Sequence, residues 1–293
     1  VVLILSLLLS FALARQLSRP LAMLGAAARA LADGDYSQRA RVARHDELGK
    51  LAEQFNRMAD ALERHRRERQ RWGADIAHEL RTPLTILQTE LQLLREGIRP
   101  LTTEAVESLI SEGNRLSALI EDLYQLSLAD AGELQCELRA EDLCEWLRER
   151  AASWQGTAQA YGHRFQMHCP QQPVWAAIDE RRFAQALDNL FLNACRYTDV
   201  PGTIELQLWT DSAGVHVQWQ DSTPGVAEVD LPKLFDRLFR GERSRNRASG
   251  GSGLGLSIVE AIIRAHHGTV QARPATLGGL CMHIQLPAMV APT

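Results

Sequence analysis

The sequence predicts a multidomain chain: an all-α first part, containing a hairpin that completes a homodimeric four-helix bundle, followed by an α/β sandwich. Three observations lead there. Apolar residues recur every three or four positions from about Leu17 to Asp130, the period of helices with one buried stripe. From about Glu133 the pattern becomes mixed, with alternating segments such as Val215, Val217 and Trp219 against His216, Gln218 and Gln220, the period of a half-buried strand. Between the last alternating segments, Gly250-Gly251-Ser252-Gly253-Leu254-Gly255-Leu256 leads into one more helical stripe.

The chain has 293 residues, enough for one to three domains. Apolar residues make up 45% and charged residues 23%, ordinary for globular protein, and a net charge of −4 gives no sign of a direct nucleic-acid partner. Five scattered cysteines (Cys136, Cys144, Cys169, Cys195 and Cys281) form no Cys-x-x-Cys pair. Neither a zinc site nor a disulfide framework is expected, and a reducing compartment fits.

Val1–Ala14 is apolar except for Ser6 and Ser10, and Arg15 and Arg19 follow. The run is shorter than the ~20 residues that span a bilayer, and no basic segment precedes it as in a signal peptide. Residues 1–14 are therefore expected to be the inner end of a transmembrane helix, with the two arginines marking the cytoplasmic side. In residues 15–66 one helix carries Leu17, Leu21, Leu24, Ala28 and Leu31 and breaks at Asp33-Gly34-Asp35. A second starts near Asp46-Glu47-Leu48-Gly49 and carries Leu48, Leu51, Phe55, Met58 and Leu62.

Residues 67–132 read as a helical hairpin, entered through an Arg- and Glu-rich solvated helical connector over 63–71. Its first helix carries Ile76, Leu80, Leu84, Leu87, Leu91 and Leu94, then turns at Gly97–Pro100. Its second, from about Thr102 to Asp130, carries Leu109, Leu116, Leu119, Leu123 and Leu126. Two such stripes cannot both be buried by one hairpin, whereas a homodimeric four-helix bundle buries them. His78 lies roughly 200° around the helix from Ile76 and so faces water. Beside Glu79, an exposed imidazole can be neutral at one nitrogen and nucleophilic at the other. Pro83 cannot donate a backbone N–H and is expected to kink the helix after that turn.

In residues 133–290, helices are expected over 142–161, 180–194 and 254–265, and strands over 164–168, 174–178, 203–209, 215–220, 269–273 and 281–286. Three clusters there carry chemistry. In Asp188-Asn189-Leu190-Phe191-Leu192-Asn193-Ala194-Cys195-Arg196-Tyr197, Asn189 and Asn193 are four apart and share a helical face. Neutral oxygens on one face suit Mg²⁺, and Arg196 near the helix end suits a phosphate. In Asp221-Ser222-Thr223-Pro224-Gly225-Val226, a carboxylate at a strand end can accept from an exocyclic amine. The third cluster is the glycine segment, including Gly251, Gly253, Leu254 and Gly255, whose backbone N–H groups can approach phosphate oxygens at a helix N-terminus. It is neither a P-loop nor a Rossmann turn. Before it, Phe235 and Phe239 precede a polar Gly241–Ser249 stretch, the pattern of a mobile lid on an anchored piece or of two rings packed in the core, readings that are compatible.

Together these motifs resemble bacterial two-component sensor histidine kinases. Pro20, the glycine-containing connector and Asp46–Gly49 ahead of Phe55-Asn56 resemble a HAMP linker; Trp72–Leu84 resembles the phosphoacceptor box; the later clusters resemble the boxes of a GHKL (Bergerat) ATP-binding domain. The segments Ser244–Gly253 and Asp221–Val226 look most like an envelope-stress-sensing subgroup. The resemblance implies ATP and Mg²⁺, with Asn193 the principal Mg²⁺ ligand and Asn189 supporting it, Arg196 (often Lys in the family) at phosphate, Tyr197 against the nucleotide, Asp221 reading adenine, and Gly225, Gly251, Gly253, Leu254 and Gly255 forming the cradle. It implies autophosphorylation of His78 with Glu79 as base or orienter, Arg81 in the same box, and Thr82 orienting water for dephosphorylation. It further implies transfer to an aspartate of a response regulator, a homodimer, and attachment to the bacterial inner membrane with this portion in the cytoplasm. Thr223 departs from the usual Asp-x-Gly-x-Gly and leaves that loop's shape open. Two other readings stay open: a catalytically weak signalling scaffold, or a GHKL ATPase of another class.

Overall fold

The computed structural model describes residues 2–42, 46–240 and 252–289. It divides into two compact units, Val1–His78 and Glu79–Thr293.

The first unit contains α1 (Val2–Ala32) and the start of α2 (Glu47–Arg95). The break after α1 falls at Gly34, with φ of 92°, a left-handed turn that glycine adopts without Cβ strain. Ala27, Ala40 and Ala52 form a small core with Leu24, Val42 and Phe55 against it. Asn56 brackets the connector by accepting the Ala40 N–H at 2.8 Å and donating to the Ala40 carbonyl at 3.1 Å. Asp46 caps the start of α2 by accepting the N–H of Gly49 at 3.1 Å. Among the described residues no helix is long and apolar enough to cross a membrane.

α2 is helical from Glu47 to Arg95, so the connector over 63–71 is helical as expected, and the helix continues past Pro83, which is buried. The helix ends in a turn at Gly97, with φ of 69°. Thr102 caps α3 (Thr103–Asp130), its hydroxyl accepting the N–H of Ala105 at 3.3 Å. Ala105, Leu119, Gln125 and Leu126 are buried on α3, while Leu84, Leu91, Ile110, Ile120 and Tyr124 stay exposed, an apolar face that the single hairpin leaves uncovered.

The rest of the second unit is the α/β sandwich. A five-stranded sheet runs in the order β2 (His163–His168), β4 (Gly202–Asp211), β5 (Gly214–Ser222), β7 (Gly278–Leu286), β6 (Thr269–Pro274). β2 and β4 are parallel, and the other pairs are antiparallel. Beside it, β1 (Arg139–Asp142) and β3 (Trp175–Ile178) form an antiparallel ribbon. Alternation puts Ile204, Leu206 and Leu208 of β4 and Val215, Val217 and Trp219 of β5 into one core with the buried faces of α4 (Leu143–Ala160), α5 (Glu180–Tyr197) and α6 (Gly255–Ala265). Trp154, Phe165, Phe191 and Trp219 meet at its centre, with ring centroids 5.2–6.2 Å apart.

α5 enters through Asp179, whose carboxylate accepts the N–H of Arg182 at 3.0 Å. The Asp179 N–H donates in turn to His266 Nε2 at 3.0 Å, and His266 Nδ1 donates to the Ile262 carbonyl at 2.8 Å. Burial pushes the His266 pKa down, which keeps the ring neutral as this donor–acceptor pair requires. The end of α6 is thereby fixed to the start of α5.

Candidate nucleotide-binding and phosphoacceptor sites

α5 has two working faces. Asp188 points to the core side, where its carboxylate accepts Trp154 Nε1–H at 2.8 Å, and so serves the fold. Asn189 and Asn193, one and five positions on, are half-buried on the neighbouring face. Asn189 donates through Nδ2 to the Gly255 carbonyl at 3.4 Å, which leaves its amide oxygen as the group suited to a hard cation. Gly255 comes within 3.8 Å of the Asn189 side chain at its Cβ position, so the glycine turn and the asparagine face adjoin. Arg196 is exposed and Tyr197 half-buried in the last turn of α5.

Asp221 lies at the end of β5, 7% exposed. A bulge between Gln220 and Ser222 shifts the register against β7 there; bulges re-aim side chains beside functional sites. Asp221 Oδ1 accepts the Leu280 N–H at 2.7 Å. Burial pushes its pKa up to about 7, with that one hydrogen bond opposing the rise. Among the described residues the deeply placed carboxylate is held by the Leu280 N–H, and it can take a further donor. A Cβ at Gly279 would stand 2.0 Å from Asp221 Oδ1, and one at Gly225 would stand 3.1 Å from the Gly278 carbonyl. Both positions are already crowded by neighbouring backbone or by Asp221 itself, so the strands and the loop come this close only because no Cβ stands there. Thr223 is exposed; its carbonyl accepts the Asp199 N–H at 2.9 Å and ties this loop to the end of α5.

The glycine segment is described from Ser252 onward; Gly251 lies outside the described residues. Gly253 has φ of +74°, and a Cβ there would meet Leu238 Cα at 2.9 Å. Its carbonyl accepts the Leu238 N–H at 3.0 Å. Leu254 is fully buried at the N-terminal boundary of α6 and pins the turn to the core, with Ser257 Oγ donating to its carbonyl at 2.8 Å. Phe235 is half-buried against the same core; Phe239 is half-buried too. The donor set therefore fits a magnesium-bound nucleotide: two amides on one face, a helix N-terminus with glycine backbone, and a buried carboxylate. Among the described residues no cluster of three or more His, Cys, Asp or Glu is placed to hold a metal ion.

His78 is exposed on α2, as are Arg81 and Thr82, while Glu79 is half-buried. The structure brings the Asn189 side chain against Gly255 of the glycine turn, and Asp221 against Gly279 and Leu280 in the same domain. Sequence reasoning missed Gly279 and Leu280, which shape and hold the Asp221 end of the site. The signal was the Gly278-Gly279 pair opening a strand, a mark of close backbone approach.

Residues 178–289 match the family described as Histidine kinase-, DNA gyrase B-, and HSP90-like ATPase. Residues 68–132 match the His Kinase A (phospho-acceptor) domain, and residues 12–64 the HAMP domain. The chain belongs to the sensor histidine kinase family. It is 39% identical to the signal transduction histidine-protein kinase BaeS of Escherichia coli over 97% of its own length and 61% of that protein. The chain thus spans about three fifths of the curated relatives it matches, as the 61%, 56% and 59% coverages of the first of them show. This supports the subgroup expected from Asp221–Val226 and Ser244–Gly253, of which 244–251 lies outside the described residues. Among solved structures, the histidine kinase AdeS of Acinetobacter baumannii superposes with a TM-score of 0.61 at 28% identity, over 73% of this chain and 98% of that one. The histidine kinase ThkA, solved in complex with the response regulator TrrA, shares the fold with a TM-score of 0.60 at 23% identity over 78% of this chain and 66% of that one.

Proposed function

We propose that this chain is the signalling portion of a membrane-bound sensor kinase that phosphorylates itself on His78 from ATP and passes the phosphoryl group to an aspartate of a response regulator. The observation that carries it is Asp221: a buried carboxylate that accepts the Leu280 N–H where Gly279 lets the backbone approach it closely, in the same domain as an asparagine face and a glycine turn at a helix N-terminus.

In this reading Asp221 accepts the exocyclic amine of adenine and Tyr197 packs against the nucleotide. Gly225, Gly251, Gly253, Leu254 and Gly255 present backbone to the phosphates, and Arg196 pairs with phosphate charge. Asn193, supported by Asn189, ligates Mg²⁺ through its amide oxygen. Bound there, Mg²⁺ neutralises charge on the transferring phosphoryl group. What remains for the protein is positioning. His78 attacks through the imidazole nitrogen that does not carry the proton, Glu79 holds that proton on the opposite nitrogen, and Arg81 balances charge in the same turn. Thr82 orients the water that removes phosphate from the regulator. The exposed face of Leu84, Leu91, Ile110, Ile120 and Tyr124 is covered by a second copy. The apolar run with Arg15 and Arg19 behind it, followed by a HAMP domain, supports anchoring in the bacterial inner membrane with this portion in the cytoplasm. The regulator-bound relative supports the choice of acceptor.

The test is incubation with γ-labelled ATP and Mg²⁺, comparing the parent with His78→Gln and Asn193→Ala. The expected result is an acid-labile label lost in both variants. A label that survives His78→Gln would overturn the assignment of the acceptor. ATP turnover without any protein label would favour a GHKL ATPase of another class, and absence of both label and turnover a signalling scaffold.

A further inference from the structure

Asp130 is the last residue of α3, where the helix macrodipole disfavours a carboxylate, and no basic residue stands in that turn. The missing cation comes from 107 residues away: Arg237 donates through Nη1 to Asp130 Oδ2 at 2.7 Å and through Nη2 to Oδ1, a two-toothed pair. Arg237 precedes Leu238, which is held at φ of +59°, a left-handed conformation uncommon for a branched residue. The Leu238 N–H donates to the Gly253 carbonyl at 3.0 Å, and Gly253 has room for Leu238 only because it lacks a Cβ. Leu234, Phe235 and Leu238 pack on the core of the sandwich. The end of the hairpin thus reaches the turn that opens α6 in three steps: an ion pair, one peptide unit and one backbone hydrogen bond.

We propose that Arg237 and Asp130 are a positioning pair that orients the nucleotide-binding domain on the hairpin and couples the Gly253 turn to the end of α3. This deepens the proposed function and rests on it. Its logic comes from the reaction: one imidazole cannot touch ATP and a receiver aspartate at once, so the ATP-binding domain must engage and leave the hairpin in every cycle. A two-toothed arginine–carboxylate pair fixes orientation, and with side chains 30% and 48% exposed it still exchanges readily with water.

The experiment uses the whole chain with Asp130→Asn, Arg237→Gln and the double reversal Asp130→Arg with Arg237→Asp. Two measurements are made: label transfer to His78 at saturating ATP, and hydrogen exchange of the last turn of α3 with and without ATP. Each single variant is expected to slow labelling at least about fivefold while its ATP Kd moves less than about twofold, and the double reversal to recover most of the rate. In the parent, ATP is expected to change exchange at the last turn of α3, and the single variants to lose that response. Singles that label like the parent, or a reversal no better than the singles, would overturn the pair's role. A parent that takes no label defeats the phosphotransfer reading instead; the exchange response then decides the pair alone, its presence in the parent and loss in the variants supporting it and its absence overturning it.

Discussion

Asp221 and Leu280 are joined across β5 and β7 by one hydrogen bond of 2.7 Å, from the backbone N–H of Leu280 to Asp221 Oδ1. The approach is possible because the neighbouring residue is Gly279, whose Cβ position lies 2.0 Å from that oxygen and 2.4 Å from the Asp221 and Ser222 carbonyls. Two of these three obstacles are backbone and cannot swing away. Gly279→Ala is therefore expected to weaken ATP binding at least about tenfold, the effect of losing one buried polar contact, and to lower the melting temperature. Titration with a fluorescent ATP analogue and a thermal melt check this; parent-like binding would remove Gly279 from the site.

The same carboxyl sets a pH dependence. Its folded pKa of about 7 lies above the usual carboxylate value of 3.8, because burial disfavours the charged form. Between pH 4 and 7 the folded state binds a proton that the unfolded state has released, so this group's stabilising contribution is present at low pH and lost as pH rises through about 7. Asp221→Asn removes the effect. At pH 8 the nucleotide-free variant is expected to be more stable than the parent, on the order of a few kcal/mol, with the gap closing towards pH 5. The same variant is expected to lose ATP affinity. Urea melts at pH 5, 6.5 and 8 test the first expectation; a gap that does not vary with pH would contradict it.

Thr82 stands one turn beyond His78 and is exposed. Thr82→Ala removes a hydroxyl and leaves the imidazole in place. Labelling of His78 is expected to stay within about twofold of the parent, while dephosphorylation of the labelled regulator slows roughly 10²-fold, the scale of losing a water-positioning group. Radiolabel chase with purified regulator measures both, and an unchanged chase would exclude Thr82 from that step.

The exposed apolar face of the hairpin makes a prediction about assembly. Leu91→Glu with Ile120→Glu puts four carboxylates into the bundle of a dimer and none into the core of a protomer, since both positions are exposed on the single chain. Light scattering is expected to show the mass falling from two copies to one, with helicity of the sandwich kept. A variant that stays dimeric would place the interface elsewhere.

The helices and long strands were readable because each buries one face, and burial writes a period into the residues. Asn189 and Asn193 were readable for the same reason: their four-residue spacing is itself helical. β1 was not, because Arg139-Ala140-Glu141-Asp142 is short, polar and defined by its pairing with Trp175–Ile178. The Arg- and Glu-rich stretch over 63–71 was readable as solvated helix, and it is part of the continuous α2. Gly279 against Asp221, Leu238 against Gly253 and Arg237 against Asp130 were invisible for one shared cause. Each joins residues far apart in the chain, and no local period records such a meeting. Thr223, the departure from pattern that left its loop undecided, proves to contribute through its carbonyl, which any residue supplies.

α5 carries Asp188 toward Trp154 and Asn189 toward Gly255 from adjacent positions. Adding or deleting one residue inside this helix would turn everything beyond it by about 100° and dislodge an anchor of the core together with the amides. A change of length here is expected to unfold the domain, whereas a single replacement at Asn189 or Asn193 is expected to spare it. Descendants of this chain that keep their shape but give up ATP chemistry should therefore arise by point replacement, and sequence surveys should find α5 invariant in length even where its asparagines are gone.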